Sequence, residues 1–336
     1  MQEFDVFYYH SPITYTLTRS IIDQEKKVFF CEIGGRGVGN AQTLAVEDDG
    51  VWDIPKTVRF LKILADIATV CHKPIHIHIP HTAFLLGKII KFSDRITSYS
   101  YIEEGEFSYS KINHIINDEE IDVVLLESML QEKNLYVDLG ISDLMISNIN
   151  KIMNYYYDFE HPKFRTAYCI SKMAFEGVAD RCLLQLDLSK IREIQFKDTL
   201  LVILPPLIQI LVLFGVDWHL AIQNLMNLIA SVTQRSQYSQ FQVVLKTHPQ
   251  DEALKQTNSG FSLIIEQFRK YGQMYEDIVF PANLDRHLEP ALLGFERYLV
   301  IGSSSALWYL KSFLEPGCYE HIDLNDPKNP QVNSQK

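Results

Sequence analysis

Apolar residues along this 336-residue chain fall into short runs separated by polar breaks and by stretches of helical periodicity. Phe4–Tyr9 and Lys27–Ile33 are compact runs rich in aromatic and β-branched residues, which predicts two strands with a helix-compatible segment between them. Asp53 to Val70 places Val58, Leu61, Ile63, Leu64 and Ile67 at helical spacing, and Pro74–Ile79 then predicts a strand. Further strands are expected at Ile96–Ile102, Asp122–Glu127 and Thr166–Phe175, with a helix over Leu144–Tyr157. After a polar stretch at 188–198 the pattern restarts. Strands are expected at 200–204, 241–245 and Ile278–Phe280, helices near 220–234 and 261–271, and a strand at Tyr298–Gly302. A last short strand and a polar tail follow Leu314.

Strands alternating with helices imply a doubly wound α/β architecture with mostly parallel sheets. Its length exceeds the size at which a single core stops growing. The expected division is an N-terminal Rossmann-like domain over 1–187, a linker over 188–198 and a C-terminal Rossmann-like domain over 199–336.

Composition narrows the function classes. With 47% hydrophobic and 22% charged residues the chain reads as a folded globular protein. Its net charge of −11 argues against a general affinity for nucleic acid or for an anionic membrane. Cys31, Cys71, Cys169, Cys182 and Cys318 are scattered and odd in number, so neither a disulfide framework nor a zinc motif is expected, and a reducing cytoplasm fits. The amino terminus lacks the basic-then-apolar order of a secretory signal. Leu200–Val216 is the one membrane-like run, but Pro205, Pro206 and Gln209 interrupt it, and a strand turning at the proline pair is expected instead.

The chemistry-bearing residues sit where apolar runs break, because ligands in open α/β sheets bind at the carboxyl ends of strands. Gly34–Gly39 misses the dinucleotide spacing and is expected to be a loop whose backbone can approach a ligand. His76 and His78 share one face of a strand, with His81 just beyond. No carboxylate or cysteine stands beside them in sequence, so no metal site is expected. Glu103-Glu104-Gly105 closes a strand, and paired carboxylates suit general-base chemistry, as they also suit capping of a following helix. Asp48-Asp49-Gly50 has similar letters in a polar loop. Lys246-Thr-His248-Pro249 breaks another strand. Ser303-Ser304-Ser305 follows Gly302 at a strand-to-helix junction and offers hydroxyls and backbone N–H groups to an anion such as a phosphate. Lys56, Arg59, Lys62, Lys88, Lys91 and Arg95 are expected either to form a basic groove or to solvate a helix face.

In their order along the chain, Glu103-Glu104-Gly105, His248-Pro249 and the serines 303–305 resemble the three motifs of bacterial sialyltransferases that build lipooligosaccharides and capsules, polysialyltransferases among them. The aromatic lead-in Tyr99-Ser-Tyr-Ile adds to the likeness, which covers about residues 4–320. The resemblance implies a GT-B fold with two Rossmann-like domains facing a cleft, and inverting transfer of sialic acid from CMP-sialic acid without a metal or other cofactor. The acceptor would be a terminal galactose or sialic acid of a surface polysaccharide. A lipid-linked acceptor and peripheral attachment at the inner face of a bacterial inner membrane are compatible with it. Glu103 would be the general base, with Glu104 as the alternative. His248 would contact the leaving CMP phosphate and act as acid, two of Ser303, Ser304 and Ser305 would bind that phosphate, and Gly105, Lys246 and Pro249 would complete the substrate-binding motifs. Lys-x-His-Pro and a later serine pair also resemble the CDP-glycerol glycerophosphotransferases of teichoic acid synthesis, which use a second histidine in the other domain. A non-catalytic nucleotide- or glycan-binding module is the third expectation.

Overall fold

The computed structural model describes residues 3–46, 53–109, 115–116, 120–186, 195–207, 218–248, 251, 259–278, 280, 288–302, 304 and 306–324. The chain divides into two compact units, Met1–Leu186 and Asp187–Lys336. Each has its own mostly parallel sheet and its own apolar core.

In the first unit, strands β1 (Phe4–Tyr9), β2 (Phe30–Gly34), β3 (Leu44–Ala45), β4 (Ile75–Ile79), β5 (Ile96–Ile102), β8 (Phe164–Cys169) and β9 (Arg181–Leu183) form one parallel sheet in the order β3-β2-β1-β4-β5-β8-β9. A separate antiparallel pair joins β6 (Ile115–Ile116) to β7 (Asn154–Tyr155). Helix α1 (Pro12–Gln24) starts at an N-cap, Ser11, whose side chain accepts the Thr14 N–H. Helix α2 (Ile54–Cys71) is capped by Asp53 in the same way.

The two faces of this sheet differ. Val6, Tyr8, Ile75, Ile77, Ile79, Tyr99 and Tyr101 belong to the apolar core together with Leu61 and Leu64 of α2 and Ile89 and Ile90 of α3 (Phe84–Phe92). Alternation turns Asp5, Phe7, His76, His78, Ser98 and Ser100 to the other face. The polar side chains among them are buried or half-buried there and hydrogen-bond one another, with His78 Nδ1 left over.

Two expected elements form differently. Residues 122–127 are not a strand: Asp122 caps Leu125 and helix α4 (Val123–Glu132) follows, burying Leu126 and Leu130 one turn apart. A short apolar run cannot by itself distinguish the two states, and the Asp cap decided it. The helix expected over 144–157 is only α6 (Asp143–Ser147), preceded by α5 (Leu135–Leu139) and followed by a 3₁₀ turn at Ile149–Lys151 and then β7. Asn148 donates its side-chain amide to Leu144 O at 2.9 Å, and Asn150 exchanges hydrogen bonds with the backbone of Ile121. Asparagine amides compete with helical hydrogen bonding in this way.

In the second unit, β10 (Gln195–Ile203), β11 (Gln242–Lys246), β12 (Gln273–Met274), β13 (Gly294–Ile301) and β14 (Tyr319–Ile322) form a parallel sheet in the order β12-β11-β10-β13-β14. Its helices are α7 (Trp218–Thr233), α8 (Ser259–Phe268) and α9 (Ala306–Phe313). Residues 195–198, expected in the linker, already belong to β10. The strand expected at Ile278–Phe280 lies earlier, at Gln273–Met274, and a 3₁₀ turn at Tyr275–Asp277 follows it. Of the membrane-like run, Leu200–Ile203 closes β10, and residues 208–217 lie outside the described residues, as do Asp48-Asp49-Gly50 and 187–194. Among the described residues no helix is long and apolar enough to cross a membrane.

Candidate functional site

In the first sheet the chain runs outward from β1 through β2 to β3, then returns to β4 on the other side of β1 and runs outward again. The carboxyl ends of β1 and β4 therefore flank a topological switch point, where open α/β sheets form their ligand crevice. His10 follows β1 and His81 follows β4 by one residue more, while Glu103 and Glu104 follow β5.

Successive residues after a strand point in opposite directions, and the two glutamates separate accordingly. Glu103 is fully buried. Its Oε2 accepts the N–H groups of Ile170 at 2.8 Å and Ser171 at 3.3 Å, and the Tyr109 hydroxyl donates to Oε1. This carboxylate ties the exit of β5 to the exit of β8.

Glu104 turns to the switch point. His10 Nε2 lies 2.6 Å from its Oε1, His81 Nε2 lies 3.6 Å from Oε2, and the Tyr156 hydroxyl donates to Oε2 at 3.0 Å. Its backbone N–H donates to Ser108 Oγ at 3.1 Å. Burial alone would raise the Glu104 pKa, but His81, His10 and the charge of Arg36 outweigh it and hold the carboxyl at about 2. The Ala83 N–H donates to His81 Nδ1 at 3.2 Å, which puts the His81 proton on Nε2, the nitrogen facing Glu104. The Tyr156 ring packs on His81 at 4.5 Å between centroids and closes one side.

Two groups of side chains are close enough to chelate an ion: His10, His81 and Glu104, and Asp5, His76 and His78. The second corrects the expectation that no carboxylate accompanies His76 and His78. Asp5 comes from the adjacent strand in register with His76 and accepts from His78 Nε2 at 2.9 Å. The Lys27 ammonium already sits on Asp5 at 2.9 Å, and His76 spends its ring nitrogens on Ser98 and Ser100, at 2.6 and 3.0 Å. In the first group His81 offers N–H, not a lone pair, to the centre. Both sets thus read as hydrogen-bonded networks, in which the buried His78 Nδ1 is left without a partner.

In the second unit the switch point lies between β10 and β13 by the same argument. Pro205 and Leu207 follow β10, and Gly302 and Ser304 follow β13. Ser304 accepts the Ala306 N–H with its Oγ at 3.3 Å, at the first residue of α9. Lys246 closes the next strand, where its Nζ lies 2.9 Å from Glu276 Oε1 and 5.3 Å over the Tyr275 ring. His248 is half-buried, and its carbonyl accepts the Asp251 N–H at 2.9 Å. The Asp251 carboxylate accepts from Leu207 N at 3.1 Å, joining the segment after β11 to that after β10. Pro249, Ser303 and Ser305 lie outside the described residues. Buried Glu289 was not singled out from the sequence. Burial pushes its carboxyl up to about 7 against the Ala291 N–H and the charge of Lys246.

Each unit therefore gathers its own candidates: Glu104 beside half-buried Gly105 in the first, and in the second Lys246 and His248 at the end of β11 and Ser304 after β13, the two strands that flank β10. The expected basic face does not form as a unit. Lys88 and Lys91 are buried, Lys88 donating to Ile149 O at 3.3 Å and Lys91 pairing with Asp158 at 2.9 Å. Sequence reasoning missed His10, Arg36 and Tyr156. His10 carried a readable signal, being a polar break directly after an apolar strand, as His248 is. Tyr156 did not, because it fell inside an expected helix.

No protein-family model matches the chain, and no curated protein matches it.

Proposed function

We propose that the chain is an inverting, metal-independent sialyltransferase that moves sialic acid from CMP-sialic acid to a glycan hydroxyl, with its two α/β units in a GT-B arrangement. The observation that carries this reading is Glu104, an ionised carboxylate fixed at a topological switch point by His10, His81 and Tyr156. The motif order described above supplies the substrate class.

In this reading the acceptor oxygen forms a bond to the anomeric carbon as the bond from that carbon to the CMP phosphate breaks. The hydroxyl proton passes to Glu104, and His248 gives a proton to the departing phosphate, which the Ser303–Ser305 segment holds. A carboxylate near pKa 2 is a weak base toward a free hydroxyl. It becomes competent once the oxygen has begun to bond to an oxocarbenium-like carbon and its proton has turned acidic. Glu104 rather than Glu103 takes the role of base, because both Glu103 oxygens are bound to Ile170, Ser171 and Tyr109.

A second reading is favoured by one specific observation. His10 at 2.6 Å from Glu104 forms a carboxylate–histidine pair, which would suit a transferase whose base is an imidazole, as expected for CDP-glycerol glycerophosphotransfer.

Incubation with CMP-sialic acid, CDP-glycerol and UDP-glucose, following nucleotide release, separates the two. Release from CMP-sialic acid alone supports the first reading. Turnover of CDP-glycerol alone replaces it with the second.

A further inference from the structure

Thr82 follows His81 and is fully buried beside Tyr101, a core residue of β5. Valine has the same shape, and a buried hydroxyl costs stability unless it is hydrogen-bonded, so the choice of threonine calls for a reason. The protons of its network can be assigned one by one. The Thr82 hydroxyl donates to Tyr155 O at 3.2 Å and, less closely, to Tyr156 O at 3.4 Å. It therefore accepts from the Tyr101 hydroxyl at 2.7 Å, and that hydroxyl in turn accepts the Asp158 N–H at 2.6 Å. The Thr82 N–H donates to Tyr156 O at 2.9 Å. One residue thus holds the carbonyls of Tyr155 and Tyr156 and, through Tyr101, the amide of Asp158.

The segment held in this way, 155–158, reaches Glu104 twice. The Tyr156 hydroxyl donates to Glu104 Oε2 at 3.0 Å, while its ring packs against those of His81 and Phe107, 4.5 Å from each. The Tyr157 hydroxyl lies 2.8 Å from Ser108 Oγ, which accepts the Glu104 N–H at 3.1 Å. With His10 on Oε1 and Tyr156 on Oε2, each carboxylate oxygen has a fixed neighbour of its own, and the plane of the group is set at both ends. A shift of Tyr156 would release one end of that plane and one side of the His81 ring together.

We propose that Thr82 is a positioning residue of the Glu104 site: its hydroxyl fixes Tyr156, and Tyr156 fixes the plane of the Glu104 carboxylate and the ring of His81. The effect on rate rests on the transferase reading, and the effect on the rings rests on geometry alone. The full chain is compared with Thr82→Val, Thr82→Ser and Tyr101→Phe by two measurements. The first is the NMR shifts of the His81 ring protons at one fixed pH without substrate, which carry the ring current of Tyr156. Thr82→Ser retains the hydroxyl and is expected to keep the wild-type shifts, and Thr82→Val is expected to lose them. Tyr101→Phe removes a buried hydroxyl of the same network but leaves the Thr82 hydroxyl on Tyr155 and Tyr156, so it should lower the melting temperature and keep the shifts. The second measurement is nucleotide release from CMP-sialic acid. In Thr82→Val kcat should fall about tenfold with the donor KM within about twofold of wild type, and in Thr82→Ser both should stay within about twofold. Thr82→Ala, which puts no methyl group against the Tyr101 hydroxyl, replaces Thr82→Val if the latter does not fold, with the same outcomes expected. Wild-type His81 shifts in the folded variant without the hydroxyl, their loss in Thr82→Ser, or an equal loss in Tyr101→Phe overturns the proposal. A wild type that releases no nucleotide from CMP-sialic acid overturns the donor assignment and leaves the ring shifts to decide the role of Thr82.

Discussion

Two adjacent glutamates at the exit of β5 meet opposite surroundings: backbone N–H groups and the Tyr109 hydroxyl hold Glu103, while His10, His81 and Tyr156 surround Glu104. Glu104→Gln keeps the size of the side chain and removes the charge that His10, His81 and Tyr156 surround. It is expected to lower transfer by about 10²-fold or more with little change in melting temperature. Glu103→Gln would put an amide N–H group where Ile170 and Ser171 donate, or where Tyr109 does, and is expected to destabilise the fold by about 1–3 kcal/mol. If the two substitutions exchange effects, the assignment of the base is wrong. His76 and His78 supply a pH prediction. Burial, with the neighbouring His78, pushes the His76 pKa well below the ordinary 6.5, and burial pushes His78 down against the pull of Asp5. Above pH 6.5 both states hold these rings neutral. As the pH falls below 6.5 the unfolded chain takes up protons that the folded chain refuses, so stability falls by up to about 1.4 kcal/mol per pH unit for each histidine. Asp5, held down at about 2 despite burial by His78 and Lys27, contributes its own loss only in stronger acid, below its ordinary 3.8. Urea midpoints should drop between pH 7.5 and 5.5, and His76→Asn should flatten that drop. An unchanged slope in the variant would remove His76 as a source.

At the scale of elements, the parallel strands were the readable part, because buried runs such as Phe4–Tyr9 and Ile75–Ile79 carry their own apolar signature. What failed was governed by single polar side chains acting on the backbone: the Asp122 cap that made α4, and the Asn148 and Asn150 amides that broke the helix expected before Tyr157. The candidate site was half legible for a related reason. Glu104 and His248 announce themselves as strand-end polar breaks, but the meeting of His10, His81 and Glu104 follows from strand order, which periodicity does not encode. Helix α3 shows how an element positions one of these groups. Gly87 packs so closely that a Cβ there would fall 1.9 Å from Thr82 O, directly after His81. Thr82 O belongs to the backbone and a Cβ is fixed by the backbone that carries it, so neither can rotate away. Gly87→Ala is expected to cost about 1–3 kcal/mol by overpacking and to displace His81 from Glu104. The His81 ring resonances, followed by NMR in this variant, should lose their wild-type shifts, and retained shifts would show that α3 does not set this histidine.

At the scale of the whole molecule, the division at Leu186 has a physical consequence of its own. The first unit closes a seven-stranded sheet, with α2 and α3 on its apolar face. The Gln24 side chain reaches from α1 to Gln185 O at 2.9 Å, and the Leu184 N–H donates to Cys169 O at 2.7 Å, so the end of the unit is tied back to its own elements. Every member of the Glu104 site, Arg36 included, lies in this span. A fragment of residues 1–186 is therefore expected to unfold cooperatively in urea, as a domain with its own core does. It should keep the ring resonances of His10 and His81 that mark the Glu104 site while releasing no nucleotide from CMP-sialic acid, because His248 and the serines are absent from it. A fragment that folds but loses those resonances would show that the Glu104 site depends on the second unit. A fragment without a cooperative transition would show that the first core needs the second unit to persist.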